Sequence, residues 1–276
     1  MKFKANKSLG QNFLVDEKAR NRIAEAAGIA EGDVVIEIGP GTGLLTKELL
    51  KRPLRKLIAY EVDAGAIDLL RTEIQDERFD LRGEDFLKAD LLALSSEFGS
   101  RLKVIGNIPY YITSPIIFKL IDDRQVIRDA TLLIQLEVAE RLVANPRTKE
   151  YGIPTVLANF FGEVKFCFKV KAGCFRPVPN VDSALIKIDF LRDYLSRSGT
   201  REPDGFEAKT FQRFVRTMFA MRRKMLRNNL KSYLSTGDFG KAVEDVAIER
   251  YLSQRAEELD VEEFLRFFMA VEKWVK

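Results

Sequence analysis

The chain holds 276 residues, 46% hydrophobic and 31% charged, with a net charge of +4. That suffices for one large domain, or a medium one plus a small one, with a real core and a mildly basic surface. Two cysteines and no histidine speak against a disulfide framework and a tetrahedral zinc site, and they exclude Ser-His-Asp chemistry, Cys-His chemistry and any histidine general base.

The opening residues, MKFKANKSLGQNFLVD, carry no apolar stretch of signal-peptide length, and no later run is long enough to span a membrane. A cytoplasmic protein is the expectation. From about residue 34, short β-branched runs alternate with helical stretches. VVIEIG reads as a buried strand, GLLTKELLKR as a helix, KLIAYEVD as a second strand and AGAIDLLRTEIQ as a second helix. FDLRGED is a weaker third strand. LKVIGNI is the fourth, followed by the helix SPIIFKLI, and ATLLIQL is the fifth, followed by EVAERLVAN. This alternation predicts a parallel sheet with crossover helices. After residue 151, FFGEVKFCFKV and SALIKIDFL read as two late strands, at least one antiparallel, with no strong helix between them. Residues 196–208 read as a linker. Beyond it, segments 206–234, 239–252 and 261–275 read as a small all-helical domain.

EIGPGTGLLT, residues 37–46, turns the first strand into the first helix. Gly39, Gly41 and Gly43 let the backbone come close to a ligand at the helix N-terminus. Their spacing differs from that of pyrophosphate binders. Glu61 ends the second strand about twenty residues further on, where an acidic side chain can accept both ribose hydroxyls. Asp85, past the third strand, is placed either to take the amino group of an adenine or to cap a helix. Together these residues describe a nucleoside cofactor across the C-terminal edge of a sheet, and both NAD and S-adenosylmethionine fit it.

GNIPYYI, residues 106–112, separates the two. Following the fourth strand, Asn107, Pro109 and Tyr110 face the same crevice. The exocyclic amine of a nucleobase is a poor nucleophile, because its lone pair is delocalised into the ring. An Asn oxygen and a backbone carbonyl pinned by Pro109 can each accept one amine hydrogen, which favours the tetrahedral nitrogen needed for attack. Tyr110 offers a face for the base to stack on. The methylated ammonium sheds its proton readily, so this chemistry needs no histidine.

KSLGQNFLVD (residues 7–16), EIGPGTGLLT, GNIPYYITSPI, EVAERLVANPRTKEYG and FRPVPNVDSALIKI occur in that order, with RRKMLRNNL and RAEELDVEEF near the C-terminus. Over nearly the whole length the chain resembles the KsgA-type ribosomal RNA small-subunit adenine dimethyltransferases, and the last two segments favour that type over the related Erm enzymes. The resemblance implies an α/β fold: a class I (Rossmann-like) S-adenosylmethionine-dependent methyltransferase domain over residues 1–195, and a small all-helical C-terminal domain over 205–276 that binds RNA or the ribosome. It implies dimethylation of the N6 amine of two adjacent adenosines in a hairpin near the 3′ end of small-subunit (16S) rRNA, during subunit assembly. The protein would be a cytoplasmic monomer, free of metal and membrane, whose partner is the small ribosomal subunit and its rRNA.

The same resemblance implies Asn12, Leu14, Gly39, Glu61, Asp85 and Asn107 as contacts to S-adenosyl-L-methionine, with Asn107 shared with the target amine. It places Phe175 across the target base from Tyr110, the alternative being that the proline-rich loop caps the sheet. Ile108 and Tyr111 stand where relatives often carry Leu and Asn, and Tyr111 is expected to alter packing near the pocket only. Residues 209–231 hold eight Lys or Arg and no acid, and read as one helix with a core-facing stripe of Phe211, Phe214, Met218, Phe219 and Met221. Arg222, Arg223 and Lys224 within it are the candidate RNA-binding residues. Ion pairs with Glu257, Glu258 or Asp260 are the alternative. Cys167 and Cys174 read as core or loop residues.

Overall fold

In the computed structural model the described residues are 11–203 and 206–275. Residues 7–10 of the N-terminal motif, 204–205 of the linker and residue 276 lie outside them. The described chain opens with two elements the sequence pattern did not announce, a short strand β1 (Phe13–Leu14) and helix α1 (Glu17–Ala27). The helix starts because Asp16 accepts from the Ala19 N–H, and it stops at Gly28 in the left-handed conformation.

The alternating segment then runs β2 (Val34–Ile38), α2 (Leu44–Leu50), β3 (Lys56–Tyr60), α3 (Ala64–Glu73), β4 (Phe79–Arg82), α4 (Leu91–Phe98), β5 (Leu102–Asn107), α5 (Thr113–Asp122), β6 (Ile127–Gln135) and α6 (Leu136–Leu142). After α7 (Ile153–Phe161) come β7 (Glu163–Val170), β8 (Phe175–Arg176) and β9 (Ser183–Asp189). Seven strands form one sheet in the order β4-β3-β2-β5-β6-β9-β7. The first five are mutually parallel, and β9 runs antiparallel to both β6 and β7. β2 is buried along its whole length, which is why it reads as a continuous apolar run rather than an alternation. The chain moves from β2 outward to β4 and then crosses to β5, so the strand order reverses beside β2. A crevice at the carboxyl ends of the strands follows from that reversal.

α7 corrects the sequence reading. Phe160 and Phe161 belong to this helix and not to the following strand. Pro154 in its first turn and the Thr155 hydroxyl, which accepts the Gly152 N–H at 3.1 Å, start it. The described residues group into two compact units, 11–139 with Glu163–Leu191, and Glu140–Gly162 with 192–203 and 206–275. Residues 140–162, placed by sequence within the first domain, thus group with the helices. The reason is aromatic packing: Phe160 lies 4.4 Å and Phe161 6.2 Å from Phe211, centroid to centroid.

The second unit continues with α8 (Tyr194–Ser198), α9 (Ala208–Met218), α10 (Leu226–Tyr233), α11 (Thr236–Ala242), α12 (Val246–Leu252) and α13 (Val261–Glu272). Its core joins Phe211 to Phe268 at 5.3 Å and Phe214 to Phe267 at 5.2 Å. The linker predicted from residue 196 begins inside α8. No helix among the described residues is long and apolar enough to cross a membrane.

Candidate functional site

The register of the parallel strands builds the site. Ile38 pairs with Tyr60 on one side and Gly106 on the other, and Tyr60 pairs with Arg82. The next residue along each central strand therefore reaches the same carboxyl edge, which brings Gly39, Glu61 and Asn107 together. A cavity of about 220 Å³ opens there, lined by Asn12, Gly39, Glu61, Asp85, Asn107, Pro109, Tyr110 and Phe175 among others. Leu14 is not brought to its wall. That side chain is 5% exposed and packs in the core beneath, with Ile23 and Phe175.

Glu61 is 5% exposed. Its Oε1 accepts from the Val62 and Asp63 N–H groups at 2.8 and 2.9 Å, and its Oε2 accepts from Gly41 N–H at 3.0 Å. A carboxylate offers about four acceptor positions, so one remains, on Oε2. A ribose finds one unshared acceptor there, where the sequence suggested room for both hydroxyls. Of the two roles foreseen for Asp85, the structure shows the cap and leaves the residue at the cavity wall. Oδ1 caps the short turn Phe86–Lys88 by accepting the Leu87 N–H at 2.9 Å, while the residue also lines the cavity and its Oδ2 makes no hydrogen bond among the described residues.

The glycine turn is tightly covered. Gly41 has φ of 57°, and a Cβ there would stand 2.7 Å from the Phe13 ring. No other residue fits without moving Phe13. Beneath the turn Glu37 is 1% exposed, with its Oε2 lacking any hydrogen bond. Burial pushes its carboxyl up to about 8. The Thr46 hydroxyl pulls the other way without reaching hydrogen-bonding geometry, and the Glu61 charge adds to the rise.

Asn107 donates from Nδ2 to the Asn12 carbonyl at 2.9 Å. The Pro109 carbonyl accepts two long bonds, from Ile112 N–H at 3.2 Å and from the Thr113 hydroxyl at 3.3 Å. The hydroxyl lies equally far from the Tyr110 carbonyl, so it can yield its place on Pro109. The Tyr110 hydroxyl is buried without a partner. Tyr111 is 60% exposed and Phe175 only 1%. Phe175 both lines the cavity and packs in the core, so sandwich and cap are not exclusive.

In the helical unit, residues 209–231 are two helices rather than one. The chain turns between Phe219 and Met225, held by Asn229, whose Oδ1 accepts the Met221 N–H at 3.1 Å. Neither Gly nor Pro marks this break. Phe211, Phe214, Met218 and Phe219 are buried as expected, but Met221 is exposed. Arg222 is engaged: its Nε donates to Glu257 at 2.6 Å and its Nη2 to the Lys149 carbonyl at 2.6 Å. Arg223 and Lys224 are exposed and make no ion pair among the described residues. Cys167 is exposed and Cys174 half-buried, and desolvation raises both thiols, so neither is activated.

Sequence reasoning missed the apolar walls, Phe13, Ile38, Tyr60 and Phe86. Their positions beside the glycines, Glu61 and Asp85 were the available signal. No group of three or more metal-ligating side chains stands together among the described residues.

A mainly parallel sheet whose glycine turn, strand-end acid and Asn107–Tyr110 turn meet at one crevice has the architecture of a Rossmann-like methyltransferase. The chain belongs to the ribosomal RNA adenine dimethylase family, whose signature matches residues 2–273. It is 41% identical over 264 residues to "Ribosomal RNA small subunit methyltransferase A" of Metamycoplasma arthritidis, covering 96% of this chain and 95% of the relative. It is 42% identical over 269 residues to the protein of the same name from Chlorobaculum tepidum, covering 96% and 88%. Among solved structures it is similar to a dimethyladenosine transferase from Plasmodium falciparum, with a TM-score of 0.80 and 25% identity over 95% of this chain and 98% of the other. The 23S rRNA methyltransferase ErmE is similar with a TM-score of 0.65 and 27% identity, covering 95% and 100%.

Proposed function

We propose that the protein dimethylates the N6 amine of two adjacent adenosines in a hairpin near the 3′ end of small-subunit rRNA, during subunit assembly in the cytoplasm, as a monomer using S-adenosyl-L-methionine. The observation that carries this reading is the convergence of Asn107 with Glu61 and Asp85 on one cavity. The cavity suits a nucleoside: one acceptor is open on Glu61 Oε2, one on Asp85 Oδ2, and at Gly39 nothing stands within 4 Å of where a side chain would begin. When bound, the cofactor supplies an electrophilic methyl on a sulfonium. Glu61 would hold its ribose, Asp85 the amino group of its adenine, and Asn12 and the Gly39 turn the remainder.

Asn107 Oδ1 and the Pro109 carbonyl then each accept a hydrogen of the target amine. The amine displaces the Thr113 hydroxyl from Pro109, and that hydroxyl keeps Tyr110's carbonyl as its partner. Tyr110 and Phe175 clamp the base, a contact worth about 1–3 kcal/mol per stacked ring. In the helical unit, Arg223 and Lys224 meet RNA phosphates directly, while Arg222 acts mainly by bracing the turn through Glu257.

The test is labelled methyl transfer to unmethylated small subunits, followed by nucleoside analysis. Label in N6,N6-dimethyladenosine of the small-subunit RNA is expected; label confined to large-subunit RNA, or none, overturns the reading. Replacing Arg223 and Lys224 with Glu should weaken subunit binding and flatten the slope of log affinity against log salt by roughly 0.7–0.9 per lost phosphate contact. Replacing Arg222 should lower the unfolding temperature first.

A further inference from the structure

Asn107 can serve as an acceptor only if its amide faces the right way. The amide has one donor end and one acceptor end, related by a 180° flip. The Asn12 carbonyl at 2.9 Å can only accept, so the nitrogen must be the end that faces it. Oδ1 is thereby left for the target amine. This is the one side-chain hydrogen bond that Asn107 makes among the described residues. A backbone group 95 positions away in sequence thus decides which end of the amide is presented.

The strand that follows that carbonyl is held on three sides. Strand β1 pairs antiparallel with β8, Phe13 opposite Arg176 and Leu14 opposite Phe175, and the Cys174 carbonyl accepts from both Val15 and Asp16 N–H groups. The Phe13 ring lies against Gly41. From below comes Arg20 of α1, which is 8% exposed. Its Nη1 donates to the Val15 carbonyl at 2.6 Å and to the Leu14 carbonyl at 3.2 Å. Arg20 pairs with no carboxylate among the described residues, and its Nε is buried without a partner. A buried guanidinium without a counter-charge is expensive, and what it does here is hold two successive carbonyls of one strand.

We infer that Arg20 is a positioning residue for the transfer step: it fixes the strap formed by residues 12–15, and the strap's Asn12 carbonyl fixes the acceptor end of Asn107. This inference rests on the function proposed above and extends it to a residue outside the cavity. Leu14 lies two residues along an extended strand from Asn12, about 6.6 Å, so a shift of the strap at Leu14 reaches the carbonyl. Loss of the flip preference alone would cost only about two-fold in rate. Freeing the whole side chain removes the near-attack geometry as well, and a displacement of an ångström is worth up to about a hundred-fold.

The experiment compares wild type, Arg20→Met and Arg20→Lys, each as the full chain. The Asn107 side-chain amide is followed by nitrogen-15 NMR in the cofactor-free protein, its resonance identified by its loss in Asn107→Ala. Turnover on unmethylated small subunits is measured beside it. Arg20→Met should speed exchange of the Asn107 amide protons about ten-fold or more and lower kcat about ten- to hundred-fold, with KM for the subunit within about two-fold. Arg20→Lys, which retains a donor, should restore part of both. Because Arg20→Met can fail to fold, a second variant carries the α-hydroxy analogue of phenylalanine at position 13. The resulting ester weakens the Asn12 carbonyl as an acceptor and leaves Arg20 in place, and it should move exchange and kcat in the same direction. Wild-type exchange and kcat in folded Arg20→Met or in the ester variant overturn the inference. Failure of the parent reading looks different: the wild type transfers no methyl, or Asn107→Ala keeps turnover, whatever the amide signal shows.

Discussion

Strand β5 carries a polar side chain near each end, and the two are opposites. Near its start Lys103 is 1% exposed and lies across from its register partner Asp129, 4% exposed, with Nζ and Oδ2 2.7 Å apart. Lys187 stands 3.7 Å from the other carboxylate oxygen and also reaches the Ala26 and Ala27 carbonyls that end α1. Every charge there meets an opposite charge or a carbonyl. At its end Asn107 spends its donor on Asn12 and leaves its acceptor open, beside Glu61 with one acceptor position to spare and Asp85 with one oxygen unused. One edge of the sheet is closed on itself. The other is fixed by hydrogen bonds while acceptors stay unfilled, as the proposed site for an amine and a ribose requires. Deep burial with every charge matched serves stability at one edge, and shallower burial with acceptors unmatched suits recognition at the other.

The sharpest way to break this comparison is to open the closed edge. Lys103→Met strands Asp129 in the core, and loss of one partner of a buried pair costs about 3–5 kcal/mol. The lower end is expected, because Lys187 remains near. Denaturant unfolding should show the loss, while kcat of the folded fraction stays at the wild-type value. A large fall in kcat at full folding would mean that the two edges are coupled.

Asn107→Ala should do the reverse. A preorganised polar group that meets the reacting centre is worth about 10²–10³-fold in kcat, and this loss should come without a change in unfolding midpoint or subunit affinity. Glu61→Ala follows in size. Weakened cofactor binding by roughly 1.5–3 kcal/mol is expected, the scale of hydrogen bonds to a charged group. Calorimetry reads it, and unchanged affinity in a folded variant would remove Glu61 from the ribose site.

The last prediction sharpens the comparison rather than breaking it. Glu37 has no counter-charge, unlike Asp129, and its carboxyl is pushed up to about 8 by burial. The folded chain therefore keeps a proton that the unfolded chain gives up above the ordinary value of 4.5. Stability of the cofactor-free protein should fall as pH rises from about 4.5 to about 8, by at most about 1.4 kcal/mol per pH unit, and level off beyond. Glu37→Gln cannot titrate, so the difference between variant and wild type should grow across that window and then stay constant. Parallel curves would place Glu37 in a wetter setting than its burial indicates.

Much of this was legible in the sequence because it depends on local rules. The alternation of apolar runs predicted the parallel strands, and the two late segments do close the sheet antiparallel. Gly39, Glu61, Asp85 and Asn107 each lie at the end of a predicted strand, and parallel strands must end on one edge, so their meeting followed from topology alone. The basic composition of residues 209–231 was equally plain. Local signals were too weak elsewhere. The turn at 219–225 has neither Gly nor Pro, and it exists because Asn229 reaches back to Met221 and the aromatic rings pack on both sides.

Tertiary contacts alone decided what each polar atom has left to give. Sequence places Glu61 at a strand end; its next two residues supply two of the N–H groups that occupy it, and the third comes from Gly41, 20 positions away, which only the fold brings there. Sequence offers Arg222 either to RNA or to an acid among Glu257, Glu258 and Asp260, and the fold gives it to Glu257, 35 positions away. Sequence shows Asn107 before a proline, and a carbonyl 95 positions earlier decides which end of its amide is free. Residue type and strand order determine which groups converge, because they act through short-range periodicity. Hydrogen-bond valence is shared among neighbours in space, so only the packed chain settles which acceptors remain for a ligand.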